Sequence, residues 1–290
     1  MWPRYALTNL IKNALDEDVG SGDITTWAAL SGGEAGLAQA TAKENMVVAG
    51  IEVFGEVFLT LDTGLTFTAL RHDGDKVEKG DLIAEISGNL ASILTAERVA
   101  LNLLQRMSGI ATLTRSYVEQ VGKGQAKILD TRKTAPGLRI LDKYAVRVGG
   151  GRNHRFALYD GVLIKDNHIR AAGGIAAAVG RVRERIPHTL KIEVEVKDLR
   201  ELEEALAAGA DAILLDNMGL EGLARAVARV AGKVPLEASG NMTLGRIRDV
   251  AATGVDLISV GALTHSVTAA DISLNVTQVE GRGQEAIRAS

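Results

Sequence analysis

The second half of this chain repeats one pattern, and that pattern leaves little choice of architecture. Strand-like runs at Leu190–Val194, Ala212–Leu215, Val234–Glu237 and Leu257–Val260 begin about 22 residues apart. Helical spacing of apolar residues fills the gaps, over Leu199–Ala208, Leu220–Val230 and Leu244–Ala252. This is the length of a strand–helix unit. Two further strand-like runs come earlier, Lys127–Asp130 and Val162–Ile164, with helical patterns at Leu138–Val148 and Ile175–Arg185. Six such units with right-handed crossovers give either a parallel barrel or a doubly wound sheet. The residues at the strand ends favour the barrel. The runs lead into Thr131-Arg132-Lys133, Lys165-Asp166-Asn167, Glu195, Asp216-Asn217, Ser239-Gly240 and Gly261. The C-terminal ends of parallel barrel strands share one face, and barrel enzymes keep their chemistry there.

The first part of the chain is mixed. Leu7–Leu15 has helical spacing, and Gly20–Asp23 breaks it. Short β-like runs come next at Ala35–Ala42, Met46–Val48 and Leu65–Leu70, with turn signals at Asp73-Gly74 and Lys79-Gly80. Ser92 to about Val121 reads as one long helix, with Ser108-Gly109 marking a break or a close contact. Ile272 and Leu274 suggest that the end of the chain docks on something.

Composition narrows the chemistry. The chain has no cysteine, which removes disulfides, thiolate zinc sites, iron–sulfur clusters and a Cys nucleophile together. A net charge of −3 and 3% aromatic residues do not suit nucleic-acid binding. Met1–Arg4 is not followed by an apolar signal-peptide core, and no apolar run is long enough to span a bilayer. The expected location is the cytosol, with no membrane partner.

Charge is focused in one segment. Asp130 to Arg170 holds nine Lys or Arg against four acids. Arg139, Lys143 and Arg147 succeed one another at helical spacing and read as a solvated face. Arg132, Lys133 and Lys165 directly follow strands. Cations brought together there are costly unless an anion joins them, so the expected ligand is small and multiply negative. His154 beside Arg155 reads as part of the same anion site. His154 and His168 have no third ligand at metal-site spacing, so no zinc site is expected. Glu195 and Asp216 bring the opposite sign to the face. They suit Mg²⁺ bridging to phosphate, a positive centre in the substrate, or the paired acids of glycosyl transfer. Ser239-Gly240 and Gly261-Ala262 stand where late barrel loops cradle phosphates. A Lys165 Schiff-base lyase and a barrel that binds a polyanion without reacting are the rival readings from other classes.

The strings themselves carry a resemblance. Ala96–Asn102, Ser108–Thr112, Asp130-Thr131-Arg132-Lys133-Thr134-Ala135-Pro136-Gly137, Asn153-His154-Arg155, Lys165-Asp166-Asn167-His168, Glu193-Val194-Glu195, Leu215-Asp216-Asn217 and Glu237-Ala238-Ser239-Gly240 resemble the quinolinate phosphoribosyltransferases. The likeness spans nearly the whole chain. It implies an N-terminal α/β sandwich over residues 1–112, with 272–290 packed on it, and an incomplete α/β barrel over 113–271. It implies a reaction of quinolinate with phosphoribosyl pyrophosphate and Mg²⁺, giving nicotinate mononucleotide, pyrophosphate and CO₂ on the way to NAD. The nearest alternative is a related enzyme acting on another aromatic acid such as nicotinate. It also implies a homodimer, or an assembly of dimers, with Arg98 donated across the interface. Arg132, His154, Arg155 and Lys165 would meet the quinolinate carboxylates, and Lys133 the substrate or the pyrophosphate. Glu195 and Asp216 would serve the ribose hydroxyls and Mg²⁺, and Ser239, Gly240 and Gly261 the 5′-phosphate. The family commonly has Ser-Gly-Gly where this chain has Ser239-Gly240-Asn241. Asn also adopts positive φ, so the loop is expected to keep its shape.

Overall fold

The computed structural model describes residues 4–122 and 124–280 and divides into two compact units. The first runs up to Thr112 and resumes at Thr268, and the second is Leu113–Val267. The return begins at Thr268, ahead of the expected 272, and residues 281–290 of the expected tail lie outside the described residues.

The first unit opens with helices α1 (Arg4–Val19) and α2 (Ile24–Ala29). The expected break at Gly20–Asp23 is a short one, because Asp23 caps α2 by accepting the Thr26 amide at 3.0 Å. Strands β1 (Ala35–Ala42) and β2 (Met46–Val47) come next, then α3 (Ile51–Leu61), β3 (Thr66–Ala69), β4 (Lys76–Val77) and β5 (Leu82–Asn89). The strands β3, β5 and β1 join in antiparallel order, and a last strand from the end of the chain completes the sheet beside β1. Residues on β1 alternate between buried and half-buried, with Ala38, Ala40 and Ala42 fully inside. The helix α3 is not expected from sequence. Its Ile, Val and Phe content suits a strand as well, and it is buried nearly all round. The sequence trace of its helicity is Glu52 and Glu56, both exposed one turn apart. Phe54 on α3 meets Phe58 and Phe67 edge-on, at 5.1 and 6.2 Å between ring centres.

Helix α4 (Leu90–Val121) runs through Ser108-Gly109 without a break. Gly109 marks a close contact instead. A Cβ there would stand 2.1 Å from the carbonyl oxygen of Thr268. The returning chain is laid along α4 at this point, with the Ala270 amide donating to the Gln105 carbonyl and the Gln105 side chain donating to that of Ile272.

In the second unit come β6 (Lys127–Leu129), α5 (Arg139–Val148), β7 (Val162–Ile164), α6 (Asp166–Ala172), α7 (Ile175–Arg185), β8 (Ile192–Val196), α8 (Leu199–Ala207), β9 (Ala212–Asp216), α9 (Leu220–Val230), β10 (Leu236–Ser239), α10 (Ile247–Ala252), β11 (Leu257–Ser259) and α11 (Ala262–His265). The strand β12 (Ile272–Glu280) is the one that returns to β1, with Leu274 opposite Ala40. The six central strands are parallel in the order β6-β11-β10-β9-β8-β7. The two ends of that order, β6 and β7, are not paired with each other among the described residues, so the barrel is incomplete between them. Arg152 occupies the free edge of β6, donating to Ile128 and accepting from Asp130.

Strand periodicity sorts the barrel residues into two faces. Ile192, Val194 and Val196 on β8 are buried, while Glu193 and Glu195 between them are half-buried. Along β9 and β10, Leu214, Asp216, Glu237 and Ser239 line one cavity. Glu195, expected just after its strand, lies within β8. Among the described residues no helix is long and apolar enough to cross a membrane.

Gly109→Leu is expected to destabilise the protein by about 1–3 kcal/mol, because the Thr268 carbonyl must move to admit the side chain. Urea denaturation of the two proteins side by side measures this.

Candidate active site

The cavity at the C-terminal ends of the barrel strands has a volume of about 750 Å³. Its walls carry Arg132, Lys133, His154, Arg155, Lys165, Glu195, Asp216, Ser239, Gly240, Asn241 and Gly261. These are the residues expected from the second half of the sequence. Arg98 is exposed on α4 in the first unit, 3.5 Å from Glu97.

A buried ion pair organises one wall. Lys143 on α5 lies 2.5 Å from Asp130, with both side chains out of contact with water. This corrects the expectation of a solvated Arg139–Lys143–Arg147 face. Each four-residue step around a helix advances about 40°, so residues at i, i+4 and i+8 drift from one side toward another. Arg147 is exposed over the Tyr144 ring, Arg139 holds Thr134 and the Phe156 carbonyl, and Lys143 turns inward. Burial pushes the Asp130 carboxyl up and the Lys143 ammonium down, and each is opposed by the charge of the other. The pair also holds the segment after α5. Asp130 accepts the His154 amide at 2.9 Å and the Asn153 side chain at 2.5 Å, and Lys143 donates to the His154 carbonyl at 3.1 Å.

Arg155 is thereby set beside Arg132. Its guanidinium donates to the Gly161 carbonyl at 2.9 Å. Burial and then the charge of Arg132 push its pKa down, against Asp160 and Glu193. Arg132 forms no ion pair among the described residues, and its Nε is buried without a hydrogen-bond partner. Two like charges and an unsatisfied donor in one cavity are the signature of an anion site. Lys165 stands across from them and pairs with Glu195 at 3.0 Å. His168 is not at the cavity. Its ring accepts the Lys165 amide at 3.0 Å and so ties the start of α6.

The late loops complete the walls. Gly240 has φ of 96°, and a Cβ there would stand 2.2 Å from the Asn217 side chain, so glycine is required. Asn241 has φ of 48°, the left-handed conformation expected for it. Its side chain donates to Asn217, and its carbonyl accepts from Arg246.

Residues 23–108 match the family model for the quinolinate phosphoribosyl transferase N-terminal domain, and residues 110–275 match that for the C-terminal domain. The chain belongs to the quinolinate phosphoribosyltransferase family. It is 45% identical over 271 residues to a probable nicotinate-nucleotide pyrophosphorylase (carboxylating) of Bacillus subtilis, covering 93% of each chain. It superposes on the NadC crystal structure from Streptococcus pyogenes with a TM-score of 0.92 at 44% identity, over 96% of this chain and 99% of that one. The nicotinate-nucleotide pyrophosphorylase from Francisella tularensis gives 0.91 at 45% identity, over 97% and 98%.

In this phosphoribosyltransferase fold, two acids to which sequence reasoning assigns no role lie under the cations. Glu193 and Glu237 converge on His154, with Nε2 at 2.9 Å from Glu193 and 3.7 Å from Glu237. The expectation that no third metal-type ligand accompanies His154 is therefore corrected: these three groups meet within 4.8 Å. Spacing in sequence could not show it, because the three come from different elements. The available signal was strand period, which puts Glu193 on the face of Glu195 and Glu237 on that of Ser239. Both nitrogens of the imidazole are engaged, since Nδ1 accepts the Arg155 amide at 2.6 Å. Burial works against an imidazolium, and the two carboxylates outweigh it and pull the His154 pKa up. The amide on Nδ1 opposes that pull, because a second ring proton would face the N–H. Burial and then Glu193 raise Glu237 from 4.5 to about 8, against His154.

Lys143→Met should cost about 3–5 kcal/mol of folding stability, since it leaves Asp130 buried without its cation. Chemical denaturation at neutral pH measures it. Glu237 makes a second, pH-dependent forecast. Its folded pKa is raised, so its contribution is present below the unfolded value of 4.5 and is lost as pH rises toward about 8. Unfolding free energy should therefore fall over that window in the wild type relative to Glu237→Gln. Parallel curves for the two proteins across a pH series would refute it.

Proposed function

We propose that this chain transfers the phosphoribosyl group of phosphoribosyl pyrophosphate to the ring nitrogen of quinolinate, releasing pyrophosphate and CO₂ to give nicotinate mononucleotide. The observation that carries this reading is the pairing of Arg132 with Arg155 in a cavity that also holds Lys133 and Lys165. A monocarboxylate needs one such cation, and a dicarboxylate uses several. Arginine forks hold carboxylates through paired N–H donors, each charge-assisted bond adding about 1.5–3 kcal/mol. Arg132, Arg155 and Lys165 bind the two carboxylates, and Arg98 joins them from a second copy of the chain in a homodimer. His154 is expected among them, but both its ring nitrogens are engaged, by Glu193 and by the Arg155 amide, so it orients the group instead.

Glu195 and Asp216 accept from the ribose hydroxyls, and their charge favours the positive character that the anomeric carbon gains as pyrophosphate leaves. Lys133 balances charge on the pyrophosphate. Ser239, Gly240, Asn241 and Gly261 hold the 5′-phosphate through hydroxyl and backbone N–H groups. The hard oxygens of Glu195 and Asp216 would hold Mg²⁺, which would offset charge on the departing pyrophosphate. The ring nitrogen attacks the anomeric carbon and becomes positive. The bond to the adjacent carboxylate then breaks, CO₂ departs, the electron pair stays on the ring carbon beside the positive nitrogen, and a proton from water takes the place of the carboxylate. Positioning and electrostatics do the work, and no protein nucleophile is needed.

Purified protein with quinolinate, phosphoribosyl pyrophosphate and Mg²⁺ is expected to release CO₂ and form nicotinate mononucleotide, and to leave nicotinate unreacted. Arg132→Ala and Lys165→Ala are each expected to lower kcat/KM for quinolinate by about 10- to 150-fold, the equivalent of one lost charge-assisted bond. Turnover near wild type in either variant would refute the dicarboxylate reading. Product from nicotinate alone would overturn the choice of acceptor.

A further inference from the structure

Glu237, which lines the cavity, and Glu193 near it have no part in the proposed reaction. Glu237 on β10 is 2% exposed, and its Oε1 has no hydrogen-bond partner among the described residues. Glu193 on β8 and His154 after α5 are the titratable groups that face it. From β11 comes the buried Ser259 hydroxyl, which faces Glu237 and opposes the rise in its pKa, and from β9 comes Leu214. No lysine or arginine pairs with Glu237 among the described residues.

Two occupants suit such a trio, a divalent metal or a proton, and the imidazole decides between them. A neutral histidine that ligates through Nε2 keeps its ring proton on Nδ1 and donates from there. Here Nδ1 is the acceptor, taking the Arg155 N–H at 2.6 Å. The ring proton is therefore on Nε2 and directed at Glu193, and Nε2 has no lone pair to offer a metal. A buried carboxylate beside a second carboxylate is costly when ionised, and the one cation candidate facing it, His154, lies 3.7 Å away and is already engaged by Glu193 at 2.9 Å. A proton on Glu237 removes that cost and gives Glu193 a second donor.

We propose that Glu237 is held as a neutral acid facing Glu193, that it fixes the His154 ring and through it the Arg155 backbone, and that the dicarboxylate acceptor binds well only while the Glu237 proton is held. The proposal rests on quinolinate being the acceptor. Glu237 is a positioning residue here. It acts through His154, and its ionisation would place a second negative charge beneath a site built for a dianion. The raised value of about 8 puts the loss of this proton just above neutrality.

The test is steady-state kinetics on the full chain at pH 7 and pH 9, with the wild type, Glu237→Gln and Glu237→Leu. One ionisation near pH 8 predicts that the wild-type KM for quinolinate rises about tenfold over this interval, with the KM for phosphoribosyl pyrophosphate nearly constant. Glu237→Gln keeps a neutral donor toward Glu193 and cannot ionise, so its quinolinate KM should be flat with pH. Glu237→Leu lacks the donor and should have a raised quinolinate KM at both values. An equal rise in the wild type and Glu237→Gln overturns the proposal. Should the variants fail to fold, infrared difference spectra of the wild type between the same pH values decide. Loss of a protonated-carboxyl band supports the proposal, and no such band overturns it. Uptake of Mn²⁺ or Zn²⁺ by the wild type but not by Glu193→Gln would overturn the proton assignment in favour of a metal. Failure to use quinolinate at either pH, with nicotinate accepted, would strike the acceptor reading instead.

Discussion

The ion pair between Asp130 and Lys143 is the constraint on which the catalytic wall depends. Neither side chain touches water, and their separation is 2.5 Å. Removing two charges from water is costly, and the cost is met here by dense hydrogen bonding as much as by mutual attraction. Asp130 accepts from Lys143, from the Asn153 side chain and from the His154 amide. These bonds join the end of β6, the middle of α5 and the segment from Arg152 to Arg155. That segment fills the edge of β6 that the incomplete barrel leaves without a strand. The open seam of the barrel is thus where the chain folds back to deliver His154 and Arg155.

Above this wall the cavity divides by charge. Arg132 and Arg155 crowd each other on one side, and Glu195 and Asp216 face the same cavity from β8 and β9. An acceptor with two carboxylates suits the first group, and a ribose that becomes positive suits the second. The late loops add a region of close backbone approach, where Gly240 permits Asn217 to stand against it and Asn241 takes a left-handed turn. Glu193, Glu237 and His154 form a third region in which Glu237 is buried and the other two are half-buried. One barrel thus gathers cations from the segments after β6 and α5 and acids from alternate residues of β8, β9 and β10.

Much of this is legible in the chain. Val162–Ile164, Ile175–Arg185 and Leu220–Val230 are elements whose limits coincide with their apolar periodicity. Arg132, Lys165, Asp216 and Ser239 can be placed on one face because each follows or ends a strand. The helix Ile51–Leu61 is hard to read, because its polar stripe is reduced to Glu52 and Glu56 among apolar residues that suit a strand as well. Lys143 misleads because one charged residue in a helical row looks like its neighbours until its partner is known. Glu193 and Glu237 escape notice because a carboxylate inside a strand has an ordinary sequence context.

By itself, the sequence determined the alternation of strands and helices in the second unit, the face on which the chemistry collects, and the sign of the charge collected there. These follow from local periodicity and from residues next to strand ends, which depend on neighbours a few positions away. Tertiary structure alone decided which charges are buried and what each one meets. Asp130 with Lys143 and His154 with Glu193 and Glu237 are separated by up to 83 positions in the chain. Their ionisation depends on water exclusion and on distances of a few ångströms, and both are set only when the strands close around them.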